Sequence, residues 1–397
     1  MIINEKRALA YTQVVNTIMP IEGADNIELI HVNAWTLIAK KGEFKEGDMC
    51  VFFEIDSKLP EEERYEFLRK KGFKVKTYKL SKFGVVSQGL ALPMCDFPEL
   101  DPKTPALTDV TDILKVTYSV KEDNYRKTDP RESRFSDFKK KHAKFFNSKL
   151  VRKLMRYKWF RTLMLNMFGG KKGRKYNYPT FITKTDEERV QNMPWILKDK
   201  SSFVVTEKID GTSTTVAVER ISRNKFKTYV CSRNVCFDDE NKKCFEGNDN
   251  IYWEMTKKYK LDEFLINYLK DNPEVKWACI QGESFGEKWQ GNPLKIKGHD
   301  FRAFNFKVSS LDDADHFNGR LGSLEAKELL EKADIPWVPV VCKDFVLPDT
   351  VDELIQMATG PSALNQDVLR EGWVIRSQDG KTSFKAVSTE YLLKKGE

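Results

Sequence analysis

The stretch Phe203-Val204-Val205-Thr206-Glu207-Lys208-Ile209-Asp210-Gly211 sets a lysine and an aspartate at the end of an apolar run. The run predicts a buried strand, and Asp210-Gly211 predicts a turn after it. A lysine amine is a nucleophile only when deprotonated, and its ordinary pKa near 10.4 leaves about one molecule in a thousand in that form at neutral pH. Burial and a divalent cation held by Asp210 are expected to lower the pKa of Lys208. The pattern suits attack on the α-phosphate of a nucleotide, but so short a motif also arises by chance.

Further motifs follow this strand in an order and spacing that chance does not supply. They are Ser232-Arg233-Asn234, Gly282-Glu283-Ser284-Phe285-Gly286, Phe301-Arg302-Ala303-Phe304-Asn305-Phe306, Glu371-Gly372-Trp373-Val374-Ile375 and Ser383-Phe384-Lys385-Ala386. Together they resemble the motifs of the covalent nucleotidyltransferase superfamily, which includes ATP-dependent DNA and RNA ligases and mRNA capping guanylyltransferases. The resemblance covers roughly residues 180 to 397 and implies an α+β, ATP-grasp or DNA-ligase-like domain, with the nucleotide between antiparallel sheets.

A second resemblance covers residues 8 to 92. It rests on Met19-Pro20-Ile21-Glu22-Gly23-Ala24-Asp25-Asn26-Ile27-Glu28, Gly42-Glu43-Phe44-Lys45-Glu46-Gly47-Asp48, Phe53-Glu54-Ile55-Asp56-Ser57 and Ser87-Gln88-Gly89-Leu90. These segments resemble the oligonucleotide-binding (OB) module that precedes the ligase domain in type-five RNA ligases. DNA ligases and capping enzymes instead carry such a barrel after the last lysine motif. Only twelve residues follow Lys385, too few for a barrel, so the order of parts favours an RNA ligase.

The residue pattern of the first hundred positions predicts a small β-barrel or sandwich without reference to any family. Short β-type runs alternate with Gly, Pro, Asn and Asp: Ala10–Val15, Ile27–Val32, Trp35–Ala39 and Met49–Ile55. Such a barrel binds single-stranded or nicked nucleic acid through stacking and charge. A scaffold or a protein-docking module is the alternative interpretation.

The chain of 397 residues is long enough for two domains and a joining segment. The resemblances divide it into an OB-fold module at 1–100, a basic, partly helical connector at 101–180 and a nucleotidyltransferase domain at 181–397. Seven cysteines without a Cys-x-x-Cys pair favour a reduced, cytoplasmic chain. A signal peptide and an apolar run of 18 residues are both missing, so no membrane partner is expected. The chain is expected to act as a monomer.

A zinc site is the one metal alternative that the cysteines offer. Cys231, Cys236 and Cys244 with His316 have spacings that match no common zinc site. Core or loop thiols are therefore the favoured interpretation.

The net charge of +8 is concentrated in residues 131–175, which hold sixteen Lys or Arg against two acidic residues. That segment carries +14, so the rest of the chain carries about −6. Aromatic and aliphatic residues recur there every three or four positions, which predicts one or two amphipathic helices that end at Gly169-Gly170. The segment is predicted to bind RNA phosphates. A solvated helix face, an anionic membrane or an acidic protein partner remain alternatives.

Residues 181–192 resemble the segment that leads into the catalytic domain of these ligases. Thr185 followed by Glu188 predicts a capping box and hence the start of a helix. Arg189 is a candidate phosphate contact. Two departures from the family pattern concern phosphate contacts: Ser383 stands where many relatives have a lysine, which leaves Lys381 as a substitute, and Asn305 stands where an aspartate is common.

The resemblance implies a three-step reaction. Lys208 attacks the ATP α-phosphate, the AMP passes to an RNA 5′-phosphate, and a 3′-hydroxyl then displaces AMP and seals the strand. Lys208, Asp210 and Lys385 are the predicted catalytic residues. The resemblance also implies that Glu371 and Asp210 bind the metal, Mg²⁺ or Mn²⁺, that Glu283 binds the ribose and that Glu207 contacts the nucleotide. It implies that Arg233 contacts a substrate phosphate or 3′-end and that Lys385 contacts the α-phosphate. Phe304 is the implied partner of adenine, with Phe301 or Phe306 as alternatives.

Three function classes remain open from the sequence. The leading one is an ATP-dependent RNA ligase for RNA repair, which acts on nicked duplex or broken structured RNA, including strands on a DNA template. The second is a DNA ligase or capping guanylyltransferase. The third is a catalytically silent RNA-binding protein, which would have no need of all five of the residues Lys208, Asp210, Glu283, Glu371 and Lys385.

Overall fold

A computed structural model describes residues 1–3, 6–118, 138, 141–146, 148, 151, 160, 164, 167, 178–237, 250–309 and 319–396. Most of the basic segment 131–175, including Gly169-Gly170, lies outside these residues, as do Cys244 and His316. Within the described part of that segment, α1 (Ala143–Phe146) is helical, and Phe146, Val151 and Met164 pack together. No described helix is long and apolar enough to cross a membrane.

The N-terminal module contains the strands β1 (Ile2–Ile3), β2 (Lys6–Arg7), β3 (Ala10–Pro20), β4 (Ile27–Val32), β5 (Trp35–Lys40), β6 (Met49–Phe53), β7 (Ser57–Lys58), β8 (Thr77–Leu80), β9 (Val85–Gln88), β10 (Leu90–Pro93) and β11 (Thr117–Tyr118). Five of them form the main antiparallel sheet of the module, in the order β10-β6-β3-β4-β5. All four runs predicted from the sequence are strands. Burial alternates along β4 and β5, as the spacing of their apolar residues requires.

The core of this module extends past residue 100. Val110, Leu114 and Val116, which the sequence analysis assigned to the connector, pack with Leu9 and Phe53 in one buried cluster. A 3₁₀ segment at Glu63–Lys71 covers the same cluster with Tyr65 and Leu68. Residues 101–118 therefore pack as part of the N-terminal module.

The second domain contains two five-stranded sheets. The Lys208 sheet has the order β12-β21-β20-β13-β19, and the Glu283 sheet has the order β16-β15-β14-β17-β18. Every pairing in them is antiparallel except that of β12 with β21. Their strands are β12 (Glu188–Arg189), β13 (Phe203–Lys208), β14 (Thr212–Ser222), β15 (Lys225–Cys231), β16 (Cys236–Phe237), β17 (Trp277–Gly286), β18 (His299–Val308), β19 (Val340–Phe345), β20 (Gly372–Ser377) and β21 (Ser383–Val387).

The described helices of this domain are α2 (Ile251–Lys258), α3 (Leu261–Asp271), α4 (Ser323–Glu331), α5 (Val351–Ala358) and α6 (Thr389–Lys395). The apolar faces of α2, α3 and α4 pack on the Glu283 sheet, and α5 packs on the Lys208 sheet. Side-chain N-caps fix the starts of α2, α5 and α6, because Asn250, Thr350 and Ser388 each accept a hydrogen bond from a first-turn backbone N–H.

The prediction of a helix start at Thr185 was wrong. Residues 183–187 are irregular, Glu188–Arg189 form β12, and 3₁₀ turns follow at Val190–Asn192 and Pro194–Lys198. Glu188 serves as a bonding partner of Asn192 rather than as a cap. A short strand beside β21 carries Arg189 into a buried position.

Asn192 joins the two parts of the chain. Its side-chain oxygen accepts hydrogen bonds from the Tyr11 hydroxyl (3.1 Å) and the Trp35 indole (2.6 Å) of the N-terminal module. Its amide nitrogen donates to Glu54 (2.7 Å) and Glu188 (2.8 Å). Three of these bonds are buried and the bond to Glu188 is partly buried, so together they hold the N-terminal module in a defined position against the second domain.

Cys231 and Cys236 lie opposite each other on β15 and β16, and both are buried. No cluster of three or more metal-ligating side chains occurs among the described residues. The interpretation as core thiols fits the placement of these two cysteines.

Candidate active site

A cavity of about 560 Å³ lies between the two sheets of the second domain and is also bordered by the N-terminal module. The residues given a first-choice catalytic or binding role from the sequence line it: Glu207, Lys208, Asp210, Arg233, Glu283, Phe304, Glu371 and Lys385. Residues separated by more than 170 positions therefore meet around one space of nucleotide size.

The position of Lys208 follows from the burial of β13. This strand lies between β20 and β19, and its first five residues are buried on both faces, which explains the continuous apolar run in the sequence. Gly211 then lets the chain pass close to β17, because a Cβ at this position would lie 2.4 Å from the carbonyl oxygen of Ser284. The close approach brings Glu283 to the cavity beside Lys208.

A second glycine places Glu371. Gly372 has a φ of 153° and pairs with Lys208, and a Cβ there would lie 2.2 Å from the carbonyl oxygen of Ala386. Glu371, one residue earlier, thus lies immediately before β20 with its carboxylate 2.7 Å from the Lys208 amine. It is a half-buried ion-pair partner and not an exposed glutamate at the start of a strand.

The expectation of a lowered pKa for Lys208 was wrong for the protein without ligands. Burial lowers the pKa of Lys208, but the charges of Glu371, Glu283 and Asp210 outweigh burial and hold it above its ordinary value. The lysine is therefore a protonated, inactive ammonium in this state. Partial neutralisation of the carboxylates by a cation would lower this pKa.

The same crowding of acids acts on the carboxylates themselves. Burial, together with the charges of Glu371 and Asp210, raises the pKa of Glu283 to about 8. Burial also raises the pKa of Glu371 above its ordinary value. The raised pKa values show that ionised carboxylates are disfavoured here, and a divalent cation would favour their charged form.

Helix α6 holds the third carboxylate. The Tyr391 hydroxyl donates a hydrogen bond to Asp210, and the Lys395 amine lies 2.8 Å from the same oxygen. The helix also packs against the N-terminal module, where Leu392 meets Ile55 in a small buried cluster. Neither Tyr391 nor Lys395 belongs to a motif, so this role could not be predicted from the sequence.

A cationic group of residues surrounds Asp186 in the cavity wall. The Asp186 carboxylate lies 2.9 Å from Arg233, 3.5 Å from Lys385 and 3.7 Å from Arg7. Although burial acts against ionisation, these cations lower the pKa of Asp186 to about 2. Burial and the neighbouring arginines place the pKa of Lys385 below its ordinary value.

Arg189 lies in the same wall and is poorly paired. Its side chain is 6% exposed and lies 3.8 Å from Asp56, yet its Nε and Nη1 atoms lack a hydrogen-bond partner among the described residues. A buried guanidinium with unused donors has the chemistry of a phosphate contact. The N-terminal module adds Arg7, Asp56 and Tyr118 to the cavity. Only Asp56 belongs to a motif quoted from the sequence, and Arg7 and Tyr118 carried no recognisable signal.

Among the three candidate aromatic residues, only Phe304 faces the cavity. Phe301 and Phe306 are fully buried in the core of the Glu283 sheet. The Arg376 guanidinium lies 5.9 Å from the centre of the Phe304 ring and donates to its backbone oxygen. Arg376 also donates to Ser383, which gives this departure from the family pattern a structural role.

Three other predicted residues have different surroundings from those expected. The carboxylate of Glu207 is buried and accepts hydrogen bonds from the Ser362 hydroxyl (2.5 Å) and the Ala363 backbone (2.7 Å), so it anchors a loop at the cavity edge. Asn305 is buried and donates to Gln281 within the sheet. Lys381 lies in the turn between β20 and β21, outside the cavity wall.

Acidic groups around a lysine, with cations nearby, are what an enzyme of phosphoryl transfer requires. Two family models match the chain: an OB-fold domain at residues 9–94 and an RNA ligase domain at residues 201–387. Similar solved structures include RNA ligase from Naegleria gruberi as a glutamate-to-alanine mutant with AMP and Mn, as a lysine-to-alanine mutant with ATP and Mn, and with PPi. They are 33%, 32% and 32% identical to this chain, each with a TM-score of 0.72.

Each comparison covers 98% of this chain and 98% or 99% of the Naegleria chain. A search of curated proteins gave no match. With this identity over nearly the full length of both proteins, the chain belongs to the RNA ligase family.

Proposed function

We propose that this ATP-dependent RNA ligase joins RNA ends through an AMP covalently bound to Lys208, as a member of the type-five group. The Lys208 amine displaces pyrophosphate from the ATP α-phosphate, the RNA 5′-phosphate then takes the AMP, and the RNA 3′-hydroxyl finally displaces AMP. The observation that carries the proposal is the Lys208–Glu371 pair of 2.7 Å inside the shared cavity.

The acidic residues prepare the nucleophile. Glu371 and Asp210 are the proposed metal-binding residues, and they act through bound water. Bound Mg²⁺ or Mn²⁺ supplies positive charge that offsets these carboxylates and the phosphate oxygens. With its carboxylate partners offset, Lys208 loses the charges that hold its pKa high. Glu283 faces the same space and is the proposed partner of the ribose hydroxyls.

The remaining residues orient the nucleotide. Lys385 and Arg233, with Arg189, are the proposed phosphate contacts, because their charged groups border the cavity beside Asp186. Phe304 is the proposed platform for adenine, since it is the one candidate ring on the cavity wall. Glu207 acts on the nucleotide indirectly, through the loop that it anchors.

The Naegleria structures support two of these assignments. The glutamate and the lysine replaced in two of them are fourteen residues apart. The same spacing separates Glu371 from Lys385 in this chain. A lysine whose replacement accompanies bound ATP fits a contact used with the intact nucleotide.

The proposed substrate is a nicked duplex or a broken structured RNA, with strands on a DNA template included, and the proposed role is RNA repair by a monomer. The N-terminal OB-fold module, which binds nucleic acid in many proteins, supports this choice. The basic segment 131–175 is a proposed connector that adds affinity for RNA phosphates.

Covalent labelling tests the proposal. Purified protein, first treated with pyrophosphate to remove any bound AMP, is mixed with ATP or GTP labelled at the α-phosphate and with Mg²⁺ or Mn²⁺. We expect label from ATP on the denatured protein, its loss in Lys208→Ala and its retention in Lys225→Ala, a lysine at the distant turn between β14 and β15. Label from GTP alone would favour a capping enzyme, and no label at all would favour a silent binder.

A further inference from the structure

A basic and aromatic surface on the N-terminal module has no part in the site described above. Residues 69–88 contain seven Lys or Arg and no acidic residue. They include the end of the 3₁₀ segment and the hairpin of β8 and β9. The basic hairpin surface is defined here as Lys71, Lys76, Tyr78, Lys79, Lys82 and Phe83.

The side chains of this surface combine charge with aromatic rings. In β8, Thr77 is buried whereas Tyr78 and Lys79 are exposed, and Tyr78 is 44% exposed. The Lys71 amine lies 4.2 Å from the centre of the Tyr78 ring, and the Lys82 amine lies 4.8 Å from that of Phe83. None of these lysines pairs with a carboxylate of the described residues. Lysines without a carboxylate partner, beside the exposed Tyr78 ring and the partly exposed Phe83 ring, suit a strand of phosphates and bases.

The surface adjoins the active site through α6. The hairpin packs on this helix, where Gln88 donates to the Thr389 hydroxyl (3.3 Å) and Lys76 donates to the backbone oxygen of Gly396. The last turn of the same helix places Lys395 beside Asp210 in the cavity wall. A polyanion that leaves the cavity past Lys395 would therefore meet Lys76 and then the rest of the surface.

The position in the fold also favours nucleic acid. Along the chain, the hairpin lies between β6 and β10, which are the fourth and fifth strands of the five-stranded sheet in sequence order. The connection between those strands is one of the loops with which OB barrels contact oligonucleotides.

We propose that the basic hairpin surface binds the sugar-phosphate backbone of the RNA beside the break to be sealed. This inference rests on the proposed function. The surface contributes affinity for the nucleic acid and takes no part in the reaction of Lys208 with ATP. An acidic protein partner is the competing occupant, and the experiment below separates the two.

The test compares the triple variant Lys71→Gln, Lys79→Gln, Lys82→Gln with a control of equal charge. The control replaces Lys225, Lys270 and Lys276 with glutamine in the same way. These three exposed lysines lie at the end of the Glu283 sheet that is far from Lys208. Binding of a fluorescent nicked RNA duplex is measured against salt concentration, and labelling by α-labelled ATP is measured for each protein. Thermal unfolding verifies that each variant is folded.

We expect the triple variant to bind the nicked duplex at least about tenfold more weakly than the wild type. The slope of its log affinity against log salt concentration should fall in magnitude by about 2 to 3, because each lost phosphate contact lowers that slope by roughly 0.9. Tyr78→Ala should weaken binding about fivefold or more with the salt slope unchanged, because it removes stacking and no charge. Labelling by ATP should stay within about twofold of the wild type in both variants.

Three results would overturn the inference: wild-type affinity and salt slope in the triple variant, an equal loss in the control variant, or competition by polyglutamate as strong as that by unlabelled RNA. Failure of the proposed function looks different. In that case the wild-type protein itself would neither accept label from ATP nor seal the nick, whereas failure of this inference alone leaves both activities intact.

Discussion

Replacing Asn192 with alanine should detach the N-terminal module from the second domain. Four hydrogen bonds are lost, two accepted from Tyr11 and Trp35 and two donated to Glu54 and Glu188. At about 1 kcal/mol net for each bond, and with buried partners left unsatisfied, the free energy of unfolding should fall by roughly 4 kcal/mol. Because three of the partners belong to the N-terminal module, the loss should act mainly on its docking.

Urea unfolding followed by tryptophan fluorescence measures this loss, and labelling by α-labelled ATP measures its effect on the site. Labelling should slow, since Arg7 reaches Asp186 only when the module is docked. Asn26→Ala, at an exposed position in the turn before β4, should change stability by less than about 0.5 kcal/mol. A loss below about 1 kcal/mol for Asn192→Ala, with normal labelling, would show that the four bonds do not hold the interface.

Three further predictions concern the cavity. Without metal, the stability of Glu283→Gln relative to the wild type should rise as pH increases from about 4.5 to about 8. The reason is that the glutamate of the unfolded chain ionises in that window, while the folded one, with its pKa raised to about 8, stays protonated. Urea unfolding at each pH in the presence of a chelator tests this, and a stability difference that does not change with pH would refute it. In the absence of ATP, Lys395→Met should bind Mn²⁺ several-fold more tightly than Lys395→Arg, because the methionine removes the cation that lies 2.8 Å from Asp210. Electron paramagnetic resonance of free Mn²⁺ measures the two affinities, and equal values would contradict the prediction. Phe304→Ala should raise the KM for ATP in the labelling reaction by roughly fivefold or more with kcat nearly unchanged, whereas Phe304→Tyr should behave as wild type; an unchanged KM would assign the ring to the core.

Local patterns in the sequence predicted the strands well where the pattern itself reflects burial. The alternation in β4 and the continuous apolar run of β13 identified both strands, because each side chain's environment repeats along the element. The segment at Thr185 shows the limit of this reasoning. Its capping pattern was genuine, but Glu188 and Asn192 bond instead to groups brought near by the fold, and those bonds decide the backbone there.

The cavity residues divide in the same way. Lys208, Glu283, Glu371 and Lys385 could be predicted because each ends or occupies a strand with a recognisable motif, and all four line the cavity. Arg7 could not, since nothing near it in the sequence indicates that it will face a domain almost two hundred residues away.

The direction of the Lys208 pKa could not be predicted either. Burial was foreseen and acts as expected, but the opposing effect depends on how many carboxylates gather around one amine. That number is a property of the assembled cavity. The sequence shows the acids individually, and only the fold places Glu371, Glu283 and Asp210 around the same lysine.

The contact of α6 with Asp210 also has a consequence for how the enzyme matures. Lys395 and Asp210 are 185 residues apart, Gln88 and Thr389 are 301 apart, and Tyr11 and Asn192 are 181 apart. Contacts between such distant segments form slowly, because each requires a long loop to close. Individual sheets can therefore be complete while the cavity is still open. In refolding experiments, the ability to accept AMP should return after the recovery of β-structure, which makes nucleotide transfer a more stringent measure of native protein than circular dichroism.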